Sequence, residues 1–139
     1  MTVFCAGTFD LLHVGHINLL LFCRQQAGHN GKVIMSIDSD KKIKKDKGDD
    51  RPIFKYTDRL LALESIRLNN LRVVDLVIEH PSNEYLLDSI KLYKPDAIVV
   101  GGDYQDKEVI GSGVSKVIYY PRDYRFSSSG IIEAIKRKL

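Results

Sequence analysis

Apolar runs of strand length alternate along this chain with stretches whose apolar residues recur at helical spacing. Residues 2–6 (TVFCA) are the first run, nearly continuous in apolar character, the pattern of a strand buried on both faces. Residues 32–37 (KVIMSI) predict a second strand ending at Asp38, and residues 73–78 (VVDLVI) a third. A fourth, residues 97–100 (AIVV), runs into Gly101-Gly102, and a fifth covers residues 117–120 (VIYY). Helices are predicted over residues 13–27, 57–69, 83–92 and 129–137. In the second of these Leu60, Leu61, Leu63 and Ile66 share a side, and Thr57 is the expected N-cap. Ser127 or Ser128 would cap the last helix. The lysine-rich stretch at residues 41–47 is read as a loop. Strands joined by helices require right-handed crossovers. The expected fold is therefore α/β and Rossmann-like: a doubly wound, mainly parallel five-stranded sheet in one domain over residues 1–139.

Composition narrows the function classes. At 139 residues, 44% hydrophobic and 28% charged, the chain suits one soluble globular core. A net charge of +3 is mild; it favours anionic ligands but offers no basic tract for a nucleic-acid partner. The N-terminus lacks a charged region and cleavage site, so no signal peptide is expected. The longest apolar stretch, residues 17–23, is interrupted by Asn18 and too short for a bilayer. These features predict a cytoplasmic protein with no membrane partner. Cys5 and Cys23 are unclustered and expected as reduced, buried thiols. No CxxC, HExxH or carboxylate cluster marks a metal site, and His29 and His80 are isolated and expected to face solvent.

The chemistry concentrates in Gly7-Thr-Phe-Asp-Leu-Leu-His13-Val-Gly-His16. Two imidazoles three residues apart fit the first turn of a helix, whose N-terminus carries unpaired backbone N–H groups and the positive end of the macrodipole. The preceding strand places the motif at a strand–turn–helix junction, where open α/β sheets bind nucleotides. A His pair at this spacing also serves as surface decoration or a helix cap. The strand before it, Gly7 at the turn and Gly15 between the rings favour a site.

This motif resembles the signature of the cytidylyltransferase-like nucleotidyltransferases, and further motifs extend the resemblance over residues 2–136. It implies that a phosphate oxygen of an acceptor attacks the α-phosphorus of a nucleoside triphosphate and pyrophosphate leaves. Positioning and charge neutralisation carry most of such catalysis. By the resemblance His13 and His16 donate to the triphosphate, with Gly7, Thr8 and Phe9 completing the first cradle. Asp10 either caps the helix or touches ligand. The family places a catalytic lysine after the second strand. Lys47 fits through Lys-Gly-Asp-Asp-Arg-Pro-Ile53, which resembles the ADP-heptose-forming adenylyltransferases; Lys44 fits the spacing of the glycerol-3-phosphate cytidylyltransferases. Arg59 matches an arginine facing nucleotide or acceptor phosphate, while Arg51 is equally a solvated loop residue. Gly101, Gly102 and Asp103 are expected against base and ribose, although Val100 stands where the adenylyltransferases carry lysine. Ser127, Ser128 and Ser129 occupy the positions that clamp the triphosphate, and Arg122 matches an arginine near the acceptor phosphate.

The implied substrates are ATP or CTP and a small phosphorylated sugar or alcohol, with Mg²⁺ arriving on the triphosphate. A heptose 1-phosphate acceptor is favoured by KGDDRPI and GGDY, glycerol 3-phosphate by GTFDLLHVGH and Pro121-Arg122. A non-catalytic nucleotide-binding module would be expected to lose a motif histidine or a phosphate cation, and none is missing. A synthetase fragment would need a lysine-rich loop that residues 126–130 lack. Small relatives are commonly homodimers. Leu71, Val73, Val74, Leu76, Val77 and Ile78 exceed what one strand face can bury, so a two-fold dimer with residues 68–85 near the interface is expected. The alternative is a central strand buried on both faces.

Overall fold

The structure, a computed structural model, describes residues 1–101, 104–123 and 125–139. Five parallel strands form its sheet: β1 (Thr2–Gly7), β2 (Lys32–Asp38), β5 (Leu76–His80), β6 (Ala97–Gly101) and β7 (Lys116–Tyr120). Their order is β5-β2-β1-β6-β7, the expected doubly wound arrangement. The chain builds outward from β1 to β5, then returns to the other side of β1 to lay down β6 and β7. The order therefore reverses between β1 and β6, and a crevice opens there at the strands' carboxyl ends. Gly7 and Gly101 end the two strands that flank it.

Alternate residues of β1 feed two cores. Val3 and Cys5 pack with Leu20 and Cys23 of α1 (Val14–Ala27) and Leu63 of α3 (Tyr56–Glu64). Phe4 packs on the opposite face with Leu86 and Ile90 of α4 (Asn83–Tyr93) and with Val109. Helices on both faces of a parallel sheet leave its central strands no wet side, which is why β1 and β2 are almost continuously apolar. Cys5 and Cys23 are both buried free thiols.

Several local expectations change. Residues 41–47 are not a loop but most of α2 (Asp40–Lys47). Ser39 caps it, accepting from Lys42 N at 3.1 Å, and Ile43 is its single buried anchor. Lysine favours helix, and one apolar anchor is too little for periodicity to register. The cap of α3 is Lys55 rather than Thr57, with no side-chain cap bond. That helix also stops at Glu64, and Leu61 on its supposed apolar side is exposed. Beyond it the chain forms a small hairpin, β3 (Arg67–Leu68) and β4 (Leu71–Arg72). The hairpin turns on Asn69 and Asn70, at φ of 51° and 67°, the left-handed conformation that asparagine tolerates and two-residue hairpin turns require.

The third major strand begins at Leu76, not at residue 73, and lies at the sheet's edge. Val73, Val74 and Val77 are nevertheless buried, while Leu68, Leu71, Leu76 and Tyr85 remain exposed. The central-strand alternative thus fails, and the apolar surplus of this region is smaller than its sequence implies. The last helix, α5 (Ser128–Lys138), is capped by Ser127.

Candidate active site

At the end of β1 the backbone makes a strained turn: Phe9 and Leu11, neither of them glycine, sit at φ of 54° and 53°. Phe9 is buried, its ring 5.2 Å from that of His16. A Cβ on Gly7 would stand 2.9 Å from the same ring, so the turn closes only over glycine.

His13 is the N-cap of α1, and the two histidines form a reciprocal cap. His13 Nδ1 accepts from Gly15 N at 3.0 Å, and His16 Nδ1 accepts from His13 N at 3.1 Å. The rings stack at 3.8 Å. A Cβ on Gly15 would lie 2.8 Å from His13 Cε1, which accounts for the glycine between them. Both readings of the pair therefore hold: the histidines cap a helix and line a cleft. Because each Nδ1 accepts a backbone proton, the neutral ring carries its own on Nε2 and can donate it to a ligand. Both rings are held neutral. Burial lowers His16 to about 4, assisted by His13 and Arg122 and opposed by Asp10; burial and then Arg122 lower His13.

The cleft, about 310 Å³, gathers residues from three separate parts of the chain. Gly7, Thr8, Phe9, His13 and His16 come from the first turn; Lys47 and Arg51 come from the end of α2 and just beyond it; Gly101, Arg122 and Ser127–Ser129 come from the ends of β6 and β7 and the start of α5. Two helix N-termini, those of α1 and α5, thus reach one cavity with several cations, a combination suited to a polyanion. Ser127 accepts from Gly130 N at 3.0 Å, and the Ser128 hydroxyl donates to the Asp10 carbonyl, tying α5 to the β1–α1 turn. Gly102 and Asp103 lie outside the described residues.

The two candidate lysines separate. Lys47 Nζ is 3.4 Å from Thr8 Oγ1 and lines the cleft. Burial, then the nearby Arg51, lowers its pKa. Lys44 is exposed and lines neither this cleft nor the cavity beside it. Arg59 is neither ligand-facing nor solvated. It is 2% exposed, and its Nε, Nη1 and Nη2 donate to Phe54 O, Thr8 O and Asp40 Oδ1. Asp10 lines the cleft but does not cap the helix: its carboxylate accepts from Ile53 N at 2.6 Å and Phe54 N at 2.9 Å, pinning the segment after α2 to the β1 turn.

A second cavity of about 640 Å³ shares Gly7, Thr8, Lys47 and Gly101 with the cleft and extends across the ends of β2 and β5. Asp38, Lys42, His80 and Asn83 add polar groups to it. His80 is not solvent-facing but 2% exposed. Its Nε2 is 2.6 Å from Asp38 Oδ1 and its Nδ1 2.7 Å from Ser36 Oγ. Asp38 Oδ2 accepts from Thr8 Oγ1 at 2.8 Å. Burial alone would raise the Asp38 pKa, but the bonds from His80 and Thr8 and the charges of His80 and Lys42 bring it to about 2. Asp38 was detectable from its place at a strand's carboxyl end. His80 was not, because only the β2–β5 register sets it opposite Asp38.

Sheet order and site together define a Rossmann-like α/β protein with a cation-lined cleft at its switch point. Residues 4–134 match the model of the cytidylyltransferase-like family. The chain belongs to that family of nucleotidyltransferases. It is 44% identical over 118 residues to the bifunctional protein HldE of Nitratiruptor sp., a match covering 84% of this chain and 23% of that protein. With the bifunctional protein HldE of Helicobacter pylori strain 26695 it shares 40% identity over 137 residues, 97% of this chain and 28% of the relative. The chain thus spans about a quarter of the length of these curated relatives.

Proposed function

We propose that this chain transfers the adenylyl group of ATP to the phosphate of a heptose 1-phosphate, releasing pyrophosphate. The observation that carries the reading is the meeting of His13, His16, Lys47 and the N-termini of α1 and α5 in one cleft. The similarity to HldE proteins and the KGDDRPI segment favour the adenylyl and heptose assignment. An acceptor phosphate oxygen forms a bond to the α-phosphorus as the bond from that phosphorus to the bridging oxygen breaks, and the electron pair leaves with pyrophosphate. The chain's part is to hold both phosphates in line and to meet the charge that develops on the leaving group. His13 and His16 donate from Nε2, Lys47 neutralises charge beside Thr8, and Ser127–Ser129 hold the far side of the triphosphate. Gly101 accommodates the nucleoside, a role the resemblance also assigns to Gly102 and Asp103, and Arg122 faces the phosphates from the end of β7. The cavity floored by Asp38, His80 and Asn83 takes the polyol.

Magnesium is assigned to the triphosphate rather than to a protein cage. Among the described residues, three carboxylates near the cleft are engaged: Asp10 by two backbone N–H groups, Asp38 by Thr8 and His80, Asp123 by Arg125. Carried on the triphosphate, magnesium would supply further neutralisation of the leaving pyrophosphate.

Arg122 in the cleft and Val100 in place of lysine favour a second reading, cytidylyl transfer from CTP to glycerol 3-phosphate. A pyrophosphate-release panel decides: ATP and CTP against heptose 1-phosphate, glycerol 3-phosphate, phosphoethanolamine and FMN. Turnover with ATP and heptose 1-phosphate is expected; turnover only with another pair replaces the assignment, and none with any pair rejects it. We further assign the protein to the cytoplasm as a two-fold dimer. Exposed Leu68, Leu71, Leu76 and Tyr85 would lie at its interface, and light scattering distinguishes the mass of one chain from that of two.

A further inference from the structure

Arg51 carries a guanidinium whose position in the cleft is not explained by the fold. Its side chain is 11% exposed. Among the described residues, its Nε and Nη2 are buried with no hydrogen-bond partner. The carboxylate beside it, Asp10, has Oδ2 3.7 Å from Nε, close enough for charge but too far for a hydrogen bond. Both Asp10 oxygens already accept from Ile53 N and Phe54 N. Asp10 therefore stabilises the cation's presence without satisfying its donors.

Arg59, eight positions on, shows what a structural arginine looks like here: each of its three nitrogens donates to an acceptor. Buried donors left without partners are rare and costly, and in native proteins they mark an absent ion, water or ligand. The two open atoms of Arg51 are Nε and Nη2, the edge of the guanidinium on which two N–H bonds run parallel. That fork matches two oxygens of one phosphate. Lys47 stands close enough for Arg51 to lower its pKa, so two cations are held together on a wall shared with His16 and Ser128.

We propose that Arg51 is a phosphate-binding residue of this site, gripping two oxygens of one substrate phosphate through Nε and Nη2. The inference rests on the nucleotidyl-transfer reading and adds to it a residue that spans the phosphate rather than merely facing it. The phosphate could belong to the nucleoside triphosphate, and hence to the leaving pyrophosphate, or to the acceptor. The placement of Arg51 near the α5 N-terminus, through Asp10 and Ser128, favours the triphosphate.

The test uses Arg51→Met, which removes the charge, and Arg51→Lys, which keeps a charge without the fork. Arg51→Lys should leave the thermal midpoint of the ligand-free protein close to wild type, because no hydrogen bond is lost and the charge facing buried Asp10 is kept; a structural fork would lower it. Arg51→Met removes that charge and is expected to lower the midpoint, so its binding is measured on protein shown to be folded by circular dichroism. Calorimetry with inorganic tripolyphosphate and with ATP is expected to show at least tenfold weaker binding in both variants. Unchanged tripolyphosphate binding with a tenfold higher KM for heptose 1-phosphate would still support the phosphate contact, with the acceptor as its source. Unchanged binding of tripolyphosphate and ATP together with an unchanged acceptor KM overturns the inference and leaves nucleotidyl transfer standing. Wild-type protein that binds neither tripolyphosphate nor ATP overturns the underlying reading instead.

Discussion

His80 Nε2 stands 2.6 Å from Asp38 Oδ1, at two positions paired in register between the parallel strands β5 and β2. The imidazole is fixed from its other side by Ser36, and the carboxylate reaches Thr8 with its second oxygen. A buried chain of polar groups thus runs from the sheet to the turn that lines the cleft.

That chain should be visible in acid. Asp38 is carried from 3.8 to about 2 on folding. Its contribution is therefore present above about pH 4 and lost as pH falls toward 2, on the order of 2 kcal/mol. Asp38→Asn should flatten the pH dependence of stability across that window. His80→Leu should lower stability at neutral pH by about 1–3 kcal/mol, since Asp38 loses a buried donor, while His80→Gln restores part of the loss. Urea unfolding between pH 2 and pH 7 checks both; an unchanged acid limb in Asp38→Asn would show that the carboxylate is not held down.

His16 titrates at about 4 in the ligand-free cleft, below its unfolded value. The unfolded chain takes up that proton first, so stability falls as pH drops from about 6.5 toward 4. Nitrogen NMR should find His16 neutral at pH 6 with its proton on Nε2. A midpoint near 6.5, or a proton on Nδ1, would contradict the capping geometry. His16→Ala should retain its circular dichroism and lose about 10²–10³ in kcat, the usual cost of removing a donor aimed at developing charge.

Lys47→Ala and Lys44→Ala are expected to diverge. Lys47 reaches the Thr8 hydroxyl at 3.4 Å inside the cleft, whereas Lys44 is exposed. Steady-state kinetics should show a fall in kcat of at least tenfold for the first and less than twofold for the second, because an isolated exposed charge contributes little. Equal effects would remove α2 from the chemistry.

Arg59→Met tests a purely structural cation. It leaves Thr8 O and Phe54 O without a donor and Asp40 without its partner, at a cost on the order of 2–4 kcal/mol. The thermal midpoint should fall clearly. A variant of unchanged stability that binds ATP more weakly would return Arg59 to the ligand.

Much of this was legible in the sequence, and for a physical reason. The alternation of strand and helix, the histidine pair at a strand–turn–helix junction and the serine cap of α5 depend on residues within a few positions of one another. Local sterics and near-neighbour hydrogen bonds settle such features, so the chain itself determines them. The lysine-rich α2 and the Asn69–Asn70 hairpin were local too, but charge density hid the first and the length of the apolar pattern before Asn69 obscured the second. What the tertiary structure alone decided is which polar side chains find partners. Arg59 meets Thr8 across 51 positions and His80 meets Ser36 across 44. Arg51 is buried beside Asp10 with two donors open, and Lys47 rather than Lys44 enters the cleft. A charged side chain is satisfied by whatever the fold brings within hydrogen-bond reach, and strand register and helix docking fix that distance.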